Sequence, residues 1–257
     1  MVLYYSATGN TRFIAELLAE ALEDEAIDLL KRIKTEDAMP LRSEKPFIVC
    51  SPVYVCELPP FLMECIERTE LTGSRELVFI FSDAGYGGMS EANAKKIARK
   101  KGMRWRGCTE IKMPTNNMVS TIYPPTEEEE CVRRIENARV RIHEIAKSIK
   151  SGETLTMRHV YFLEKLLIMP VHFWWIRHMQ PSKDFYVTEK CIGCGTCARL
   201  CPLNNVEMRE KRPHWISGCA HCMACIGNCP EEAIEYRRMT ENKKKYNIRQ
   251  YLDRHEM

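Results

Sequence analysis

The chain has 257 residues, which is enough for one large domain or for two smaller ones. Its 38 basic and 35 acidic residues leave a net charge of only +3, so no overall basic field favours nucleic acid. No apolar run reaches the roughly 18 residues of a membrane span, and no secretion signal is evident at the N-terminus. We therefore expect a cytoplasmic protein with reduced cysteines.

The first predicted elements are a strand, a polar loop and a helix. Residues 1–5 are a short apolar run, and residues 12–23 carry apolar side chains at helical spacing. The loop between them, Ser6-Ala7-Thr8-Gly9-Asn10-Thr11, is rich in hydroxyls and ends where the helix begins. Unpaired N–H groups and the helix dipole favour an anion there, so the loop predicts a phosphate site. A simple helix N-cap is the alternative.

Strands and helices then alternate as far as residue 150. Apolar runs predict further strands at residues 26–30, 46–51, 76–81 and 105–113, and helices are predicted at 60–68, 91–101 and 126–150. This alternation indicates an α/β fold with a doubly wound, five-stranded parallel sheet. Ligands of such sheets bind beyond the carboxyl ends of the strands, where the strand order reverses. The loops predicted at those ends are residues 6–11, 51–57 and 82–90.

The first of these loops resembles the FMN phosphate loop of the flavodoxins, whose pattern is T/S-x-T-G-N-T. The resemblance implies FMN as a cofactor, with the other two loops flanking its isoalloxazine ring. Aromatic side chains cover such a ring, and glycines let the main chain approach its edge. The aperiodic segment 114–125 is expected on the same rim, as a lid. The implied FMN-binding residues are Ser6, Thr8, Gly9, Asn10, Thr11, Ser51, Pro52, Val53, Tyr54, Asp83, Gly85, Tyr86, Gly87 and Gly88.

Residues 151–183 are the most apolar and aromatic part of the chain, unlike a flexible Gly/Ser linker. They predict a helix that ends at Pro170 and a second that ends before Pro181, packed across the units on either side. An amphipathic helix on a membrane surface is the alternative, and it would allow peripheral membrane contact. A haem held by His172 and His178 is a further alternative.

The most specific signal lies in residues 191–230. The sequence CIGCGTCARLCP is followed by CAHCMACIGNCP, and both repeat the spacing C-x2-C-x2-C-x3-C-P of iron–sulfur ligands. Structural zinc sites do not have this fourfold run, and disulfides need an oxidising compartment. Two clusters are therefore predicted. Their ligands are Cys191, Cys194, Cys197, Cys201, Cys219, Cys222, Cys225 and Cys229.

Residues 184–236 resemble the two-cluster bacterial ferredoxins, in which the fourth cysteine of each motif ligates the other cluster. The resemblance implies one 4Fe-4S cluster on Cys191, Cys194, Cys197 and Cys229. It implies a second 4Fe-4S cluster on Cys219, Cys222, Cys225 and Cys201. The basic stretch 237–254 predicts either a solvated helix or a docking surface for an acidic redox partner.

The order of the units resembles the fused flavodoxin–ferredoxin proteins of anaerobic bacteria and archaea. The expected parts are an FMN-binding domain (1–150), an apolar helical connector (151–183) and a ferredoxin-like domain with a basic tail (184–257). We expect electrons to pass between the clusters and FMN, and on to partners such as ferredoxin-dependent or flavodoxin-dependent oxidoreductases. No catalytic residue set and no oligomeric state are indicated.

Two alternative functions remain open from the sequence. One is an FMN-dependent oxidoreductase that reduces a small organic acceptor with electrons delivered through the clusters. The other is a redox sensor, whose affinity for a partner would depend on the state of its clusters.

Overall fold

A computed structural model describes residues 1–119, 125–161, 163, 164, 166, 167, 170 and 182–252. Most of the predicted connector, including His172 and His178, lies outside these residues, as do residues 120–124 and 253–257. None of the helices within the described part combines the length and apolar character that a membrane crossing requires.

The N-terminal part is built on a parallel sheet of five strands. Its strands in chain order, with two short strands that form a separate parallel pair, are β1 (Val2–Tyr4), β2 (Ala26–Asp28), β3 (Leu41–Ser43), β4 (Phe47–Pro52), β5 (Leu71–Gly73), β6 (Glu76–Asp83) and β7 (Arg104–Lys112). The spatial order in the sheet is β2-β1-β4-β6-β7. Counted within this sheet the order is 2-1-3-4-5, that of flavodoxin-like folds, so the predicted doubly wound sheet is confirmed.

Helices cover both faces of this sheet. They are α1 (Asn10–Ala21), α2 (Leu30–Thr35), α3 (Pro60–Arg68), α4 (Ser90–Lys100) and α5 (Glu128–Lys150). Successive side chains of a strand point to opposite faces, so strands covered on both sides are apolar throughout. Val2 and Tyr4 pack with α1 and α5 on one face, whereas Leu3 and Tyr5 pack with α2, α3 and α4 on the other.

Helix α2 and the pair formed by β3 and β5 were not predicted from the sequence. Leu41 pairs with Leu71 and Ser43 with Gly73, so each strand of this pair has only three residues. Such a strand is too short to show the alternation that identifies a strand. The longer strands and helices lie close to their predicted positions, because each carries a sustained apolar pattern.

The C-terminal part is a small α+β unit. Its elements are β8 (Phe185–Val187), α6 (Thr196–Leu200), β9 (Val206–Arg209), β10 (Arg212–Trp215), α7 (Ala224–Gly227) and β11 (Ile234–Tyr236). β8 pairs with β11 and β9 with β10, both antiparallel. The β9–β10 turn places Glu210 and Lys211 in left-handed backbone, as a two-residue hairpin turn requires. These pairings close a core that includes Phe185, Met223 and Ile234.

The C-terminal part packs directly against the N-terminal part. The Lys34 ammonium, in α2, donates hydrogen bonds to the carbonyl oxygens of Ala198 (2.9 Å) and Cys201 (3.0 Å). On the other side of the contact, Asn228 Nδ2 donates to the carbonyl oxygen of Ala7 (2.8 Å), in the loop after β1. The second cysteine motif is therefore held against the edge of the sheet at which its strands end.

The basic C-terminal stretch is a packed segment. Lys245 is buried and forms an ion pair (2.6 Å) with a carboxylate of β11. The Tyr246 hydroxyl donates to Asn10 Oδ1 (2.6 Å), and the Ile248 N–H donates to the carbonyl oxygen of Thr8 (3.0 Å). The prediction of a solvated helix is therefore wrong for residues 245–248, which are buried, whereas residues 241–244 are exposed as predicted.

Gly107 offers a test of the packing of β7. Its φ is 93°, and an added Cβ would lie 1.9 Å from the carbonyl oxygen of Leu155. We expect Gly107→Ala to lower the free energy of unfolding by about 3 kcal/mol, through left-handed strain and this clash. Anaerobic urea unfolding followed by circular dichroism measures the change.

The control is Gly218→Ala, because an added Cβ at Gly218 meets no atom within 4 Å. It should change the free energy of unfolding by less than about 1 kcal/mol. Equal stability of the two variants would contradict the close approach of Gly107 to Leu155.

Candidate electron-transfer centres

Four cysteines surround a small cavity that we call the first cysteine site. Cys191, Cys194 and Cys197 come from the first motif, whereas Cys229 is the last cysteine of the second motif. The remaining wall is mainly apolar and includes Ile192, Met208, Pro213, Pro230 and Ile234. The structure thus brings together the four residues that the ferredoxin resemblance assigns to one cluster.

The second cysteine site has the complementary composition. Cys219, Cys222 and Cys225 come from the second motif and Cys201 from the first, and Phe185 lies in the same wall. No three His, Cys, Asp or Glu side chains of the described residues are grouped to hold a single metal ion. Four sulfurs spaced around a cavity suit a cuboidal cluster rather than one tetrahedral ion.

The two motifs fold locally in the same way. Gly195 follows the second cysteine of its motif and is the left-handed N-cap of α6 (φ 71°). Met223 takes the equivalent position before α7 (φ 65°). This turn reverses the chain after two cysteines, so the third cysteine can reach the same cavity. Glycine adopts the conformation without strain, whereas at Met223 the surrounding packing must hold it.

Main-chain N–H groups point at several of the cysteine sulfurs. The Asn205 N–H donates to Cys201 Sγ and the Ala233 N–H to Cys229 Sγ, each at 3.3 Å and each four residues after the last cysteine of its motif. The His221 N–H also donates to the sulfur of a cysteine, Cys219, at 3.3 Å. Such donors stabilise negative charge on thiolate ligands.

The two cysteine sites differ in their distance from solvent. At the first, Cys194 is exposed and the neighbouring Ile192 is 63% exposed. At the second, Cys222 is buried within the apolar core of the N-terminal part. Burial raises the pKa of the Cys219 thiol to about 12, whereas hydrogen bonds with Thr196 lower the pKa of Cys194. The second cysteine site therefore lies in the drier environment, at the junction of the two parts.

The loop after β1 is where the sequence predicts a phosphate site. Gly9 is the N-cap of α1, with a left-handed φ of 101°. The main-chain N–H groups of Thr8, Asn10 and Thr11 have no acceptor within the described chain. The Thr11 hydroxyl hydrogen-bonds with that of Ser82, at the end of β6 (2.9 Å). The Gly9 N–H, in contrast, donates to Ser6 Oγ. Three free N–H groups and several hydroxyls therefore lie together at the start of α1.

The loops after β4 and β6 meet at the same edge of the sheet. The Met89 N–H donates to the carbonyl oxygen of Cys56 (2.7 Å). A Cβ added to Gly88 would lie 2.4 Å from the Cβ of Cys56. The Val53 N–H likewise donates to the carbonyl oxygen of Ser82 (3.1 Å). The other predicted residues lie here too: Ser51, Pro52 and Gly87 are buried, and Gly85 is exposed.

The two tyrosines predicted to contact a flavin lie in different surroundings. The Tyr54 hydroxyl is buried on the side of the second cysteine site. The Tyr86 hydroxyl lies 3.2 Å from the Glu164 carboxylate, and the Arg158 guanidinium covers its ring, 5.6 Å from the centroid. Stacking of either ring on a flavin stays a prediction.

Asp83 ends β6 with its carboxyl group buried beside that of Glu110, from β7. The Gly85 N–H donates to Asp83 Oδ1 (2.6 Å), and the Gly87 N–H donates to Glu110 Oε2 (3.0 Å). Asp83 Oδ2 has no partner among the described residues. Burial, and next the charge of Glu110, raise the pKa of Asp83 to about 7. The Asp83 carboxyl group therefore keeps a proton more readily than an exposed aspartate does.

The two cysteine sites and the loop after β1 fit the predicted 4Fe-4S clusters and the predicted FMN. Each cysteine site offers four sulfurs around a cavity, with N–H donors at some of the sulfurs. The start of the 12-residue helix α1 offers free N–H groups and hydroxyls to a phosphate. Asp83 Oδ2, which has no partner among the described residues, lies at the end of β6, where the loop predicted to flank the flavin ring begins.

Comparison with known proteins identifies the C-terminal part. The family described as a 4Fe-4S dicluster domain matches residues 190–234. An uncharacterized ferredoxin of Methanocaldococcus jannaschii is 34% identical over 64 residues, which are 23% of this chain and 83% of that protein. The chain belongs to the ferredoxin family. Its ferredoxin domain supports a role in electron transfer.

Solved structures similar to the chain include a Streptococcus flavodoxin and the Flv1 flavodiiron core of Synechocystis. The flavodoxin is 18% identical, with a TM-score of 0.31, and the match covers 56% of this chain and 97% of the flavodoxin. The flavodiiron core is 17% identical, with a TM-score of 0.35, and the match covers 59% of this chain and 36% of that protein. Together with the observed strand order, the ferredoxin match confirms the predicted fusion of a flavodoxin-like sheet to a ferredoxin domain.

Sequence reasoning missed residues at the junction of the sheet and the ferredoxin domain. Asn116 Nδ2 donates to Thr8 Oγ1 (2.9 Å) and reaches the carbonyl oxygen of Cys222 at 3.5 Å. Met118 and Val119, from the segment predicted as a lid, are buried in the core of the ferredoxin domain. No local pattern marks these residues, because their roles depend on a partner about a hundred positions away.

The crossed ligand sets predict how cysteine substitutions group. Cys201→Ser and Cys225→Ser should both lose the second cluster, and Cys197→Ser and Cys229→Ser should both lose the first. Each variant, purified anaerobically, should keep about half of the iron. The remaining electron paramagnetic resonance (EPR) signal should be the same within each pair. Cys65→Ser, at a buried cysteine of α3, is the control and should keep all of the iron. If Cys201→Ser instead gave the same remaining signal as Cys197→Ser, the crossed assignment would be contradicted.

The raised pKa of Asp83 predicts a pH-dependent stability. The folded chain holds a proton that the unfolded chain releases, so stability falls as pH rises from about 4 to about 7. Asp83→Asn keeps the neutral shape and should raise the free energy of unfolding at pH 8 by on the order of 2 kcal/mol, with a smaller effect at pH 5. Anaerobic unfolding between pH 5 and pH 8 measures the change. Glu44→Gln, at an exposed carboxylate, is the control; a gain independent of pH would contradict the assignment.

Proposed function

We propose that the chain is an electron carrier that holds two 4Fe-4S clusters and one FMN and exchanges electrons with low-potential partner proteins. The position of the second cysteine site carries this proposal. Cys222 is buried in the same apolar core as Tyr5, which follows β1. A cluster held there would lie against the carboxyl edge of the sheet, where doubly wound folds bind their ligands.

The residues of the ferredoxin domain would hold and tune the clusters. The eight thiolates supply the ligands, and the N–H groups of Asn205, His221 and Ala233 favour added negative charge on the sulfurs. The exposed Ile192 and Cys194 give a partner protein access to the first cysteine site. Burial keeps water from the second cysteine site, so partner proteins would exchange electrons with the ferredoxin domain at the first, and the second would face the sheet.

The loops of the sheet would hold FMN. Thr8, Gly9, Asn10 and Thr11 would bind its phosphate, together with Ser6, and the loops after β4 and β6 would flank its ring. FMN accepts one or two electrons, whereas a cluster passes one. Burial, and next the charge of Glu110, raise the pKa of Asp83, so this carboxyl group would hold a proton in the loop predicted to flank the ring.

The alternative of an FMN-dependent oxidoreductase for a small organic acceptor has less support. It needs a cover over the acceptor, and segment 114–125 is the predicted cover. Met118 and Val119 of this segment instead pack in the core of the ferredoxin domain. Their burial there ties this part of the segment to the junction of the two parts.

Anaerobic purification followed by iron, sulfide and flavin analysis tests the proposal. We expect about eight iron atoms and about eight sulfides per chain, together with about one FMN. Thr11→Val removes a hydroxyl predicted to bind the phosphate, so it should lower the FMN content and leave the iron content unchanged. Thr35→Val, at an exposed threonine of α2, should change neither content.

Each outcome decides a part of the proposal. Protein without iron would overturn the electron carrier altogether. Protein that contains iron but no flavin would overturn the FMN part of the proposal and leave a carrier with two clusters. Steady reduction of small acceptors without a partner protein would favour the oxidoreductase instead.

A further inference from the structure

Two tyrosines of the flavodoxin-like part lie against the second cysteine site. Tyr5 directly follows β1 and is 0% exposed, and Tyr54 lies in the loop after β4. Both hydroxyl oxygens are buried, and neither has a partner with good hydrogen-bond geometry among the described residues. An unsatisfied buried hydroxyl costs about 1–3 kcal/mol, so both hydroxyls require an acceptor.

The sulfur of Cys222 lies close enough to both hydroxyls for a charge on it to act on them. Cys222 packs in the same buried apolar cluster as Tyr5, with Tyr54 against that cluster. A phenol is protonated at neutral pH, and a protonated hydroxyl can donate a hydrogen bond to a thiolate.

We propose that Tyr5 and Tyr54 donate O–H···S hydrogen bonds to Cys222 when it ligates the second 4Fe-4S cluster, and that they raise the reduction potential of that cluster. The inference rests on the proposed function, because it requires a cluster at the second cysteine site. Both tyrosines are positioning residues that act through a cysteine ligand. The flavodoxin-like part would thereby tune a cluster of the ferredoxin domain.

The direction of the effect follows from charge. A reduced cluster carries one more negative charge than an oxidised one, so donors to its sulfurs stabilise the reduced state and raise the potential. Burial acts in the opposite direction, because it disfavours added charge. The second cysteine site is the more buried of the two, and burial lowers the reduction potential of a cluster there. Two hydroxyl donors at this site would offset that lowering.

Redox titration of the anaerobic protein, monitored by EPR, tests the inference. In Tyr5→Phe, in Tyr54→Phe and in the double variant, one cluster should titrate at a more negative potential and the other should stay unchanged. We expect at least a tenfold change in the ratio of reduced to oxidised cluster at fixed potential, which is about 59 mV for a one-electron couple. The matched control is Tyr4→Phe, because Tyr4 precedes Tyr5 but packs on the opposite face of the sheet.

The outcomes separate this inference from the proposed function. If the phenylalanine variants bind as much iron as the wild type and titrate at its potentials, the tyrosines do not tune the cluster. If the wild type binds no iron, the proposed function itself fails. Tyr54→Phe provides a result even if substitution at the fully buried Tyr5 prevents folding, because it preserves the edge-to-face contact of Tyr5 with Phe61.

Discussion

The packing of the second cysteine motif on the carboxyl edge of the parallel sheet is the contact that organises this molecule. That edge is where a doubly wound fold normally presents its loops to a ligand. Here the loop after β1 offers its carbonyl oxygens to protein, since Ala7 and Thr8 accept from Asn228 and Ile248. The N–H groups of Thr8, Asn10 and Thr11 have no acceptor within the described chain. One loop can therefore hold the ferredoxin domain through its acceptors and an anion through its donors.

The crossed cysteine sets make the two sites structurally dependent on each other. Each cavity takes one cysteine from the other motif, so the peptide after α6 and the peptide after α7 both run from one site to the other. The first site faces solvent through Cys194, and the second faces the sheet through Cys222. A path from the surface to the sheet is thus fixed by the order of ligands in the chain.

Much of the fold and of the candidate site could be predicted from the sequence, because the decisive signals are local. The cysteine spacing and the loop after β1 each lie within a dozen residues, and the long strands carry sustained apolar patterns. Tyr5 and Asn116 could not be found in this way. Tyr5 is the end of an apolar run and Asn116 lies in an aperiodic segment, and only the fold brings both to the distant Cys222. Short elements such as β3 were missed because three residues show no period.

The C-terminal stretch shows why composition alone misled the prediction. Its lysines and arginines suggest a solvated segment, yet the fold depends on the few residues between them. Tyr246 and Ile248 are buried on the loop after β1, and Lys245 is buried only because a carboxylate of β11 neutralises it. An ion buried without that partner would cost several kcal/mol. The stretch therefore ties β11 to the loop after β1, and the separation between the cysteine sites and this loop is set by packing rather than by the length of a linker.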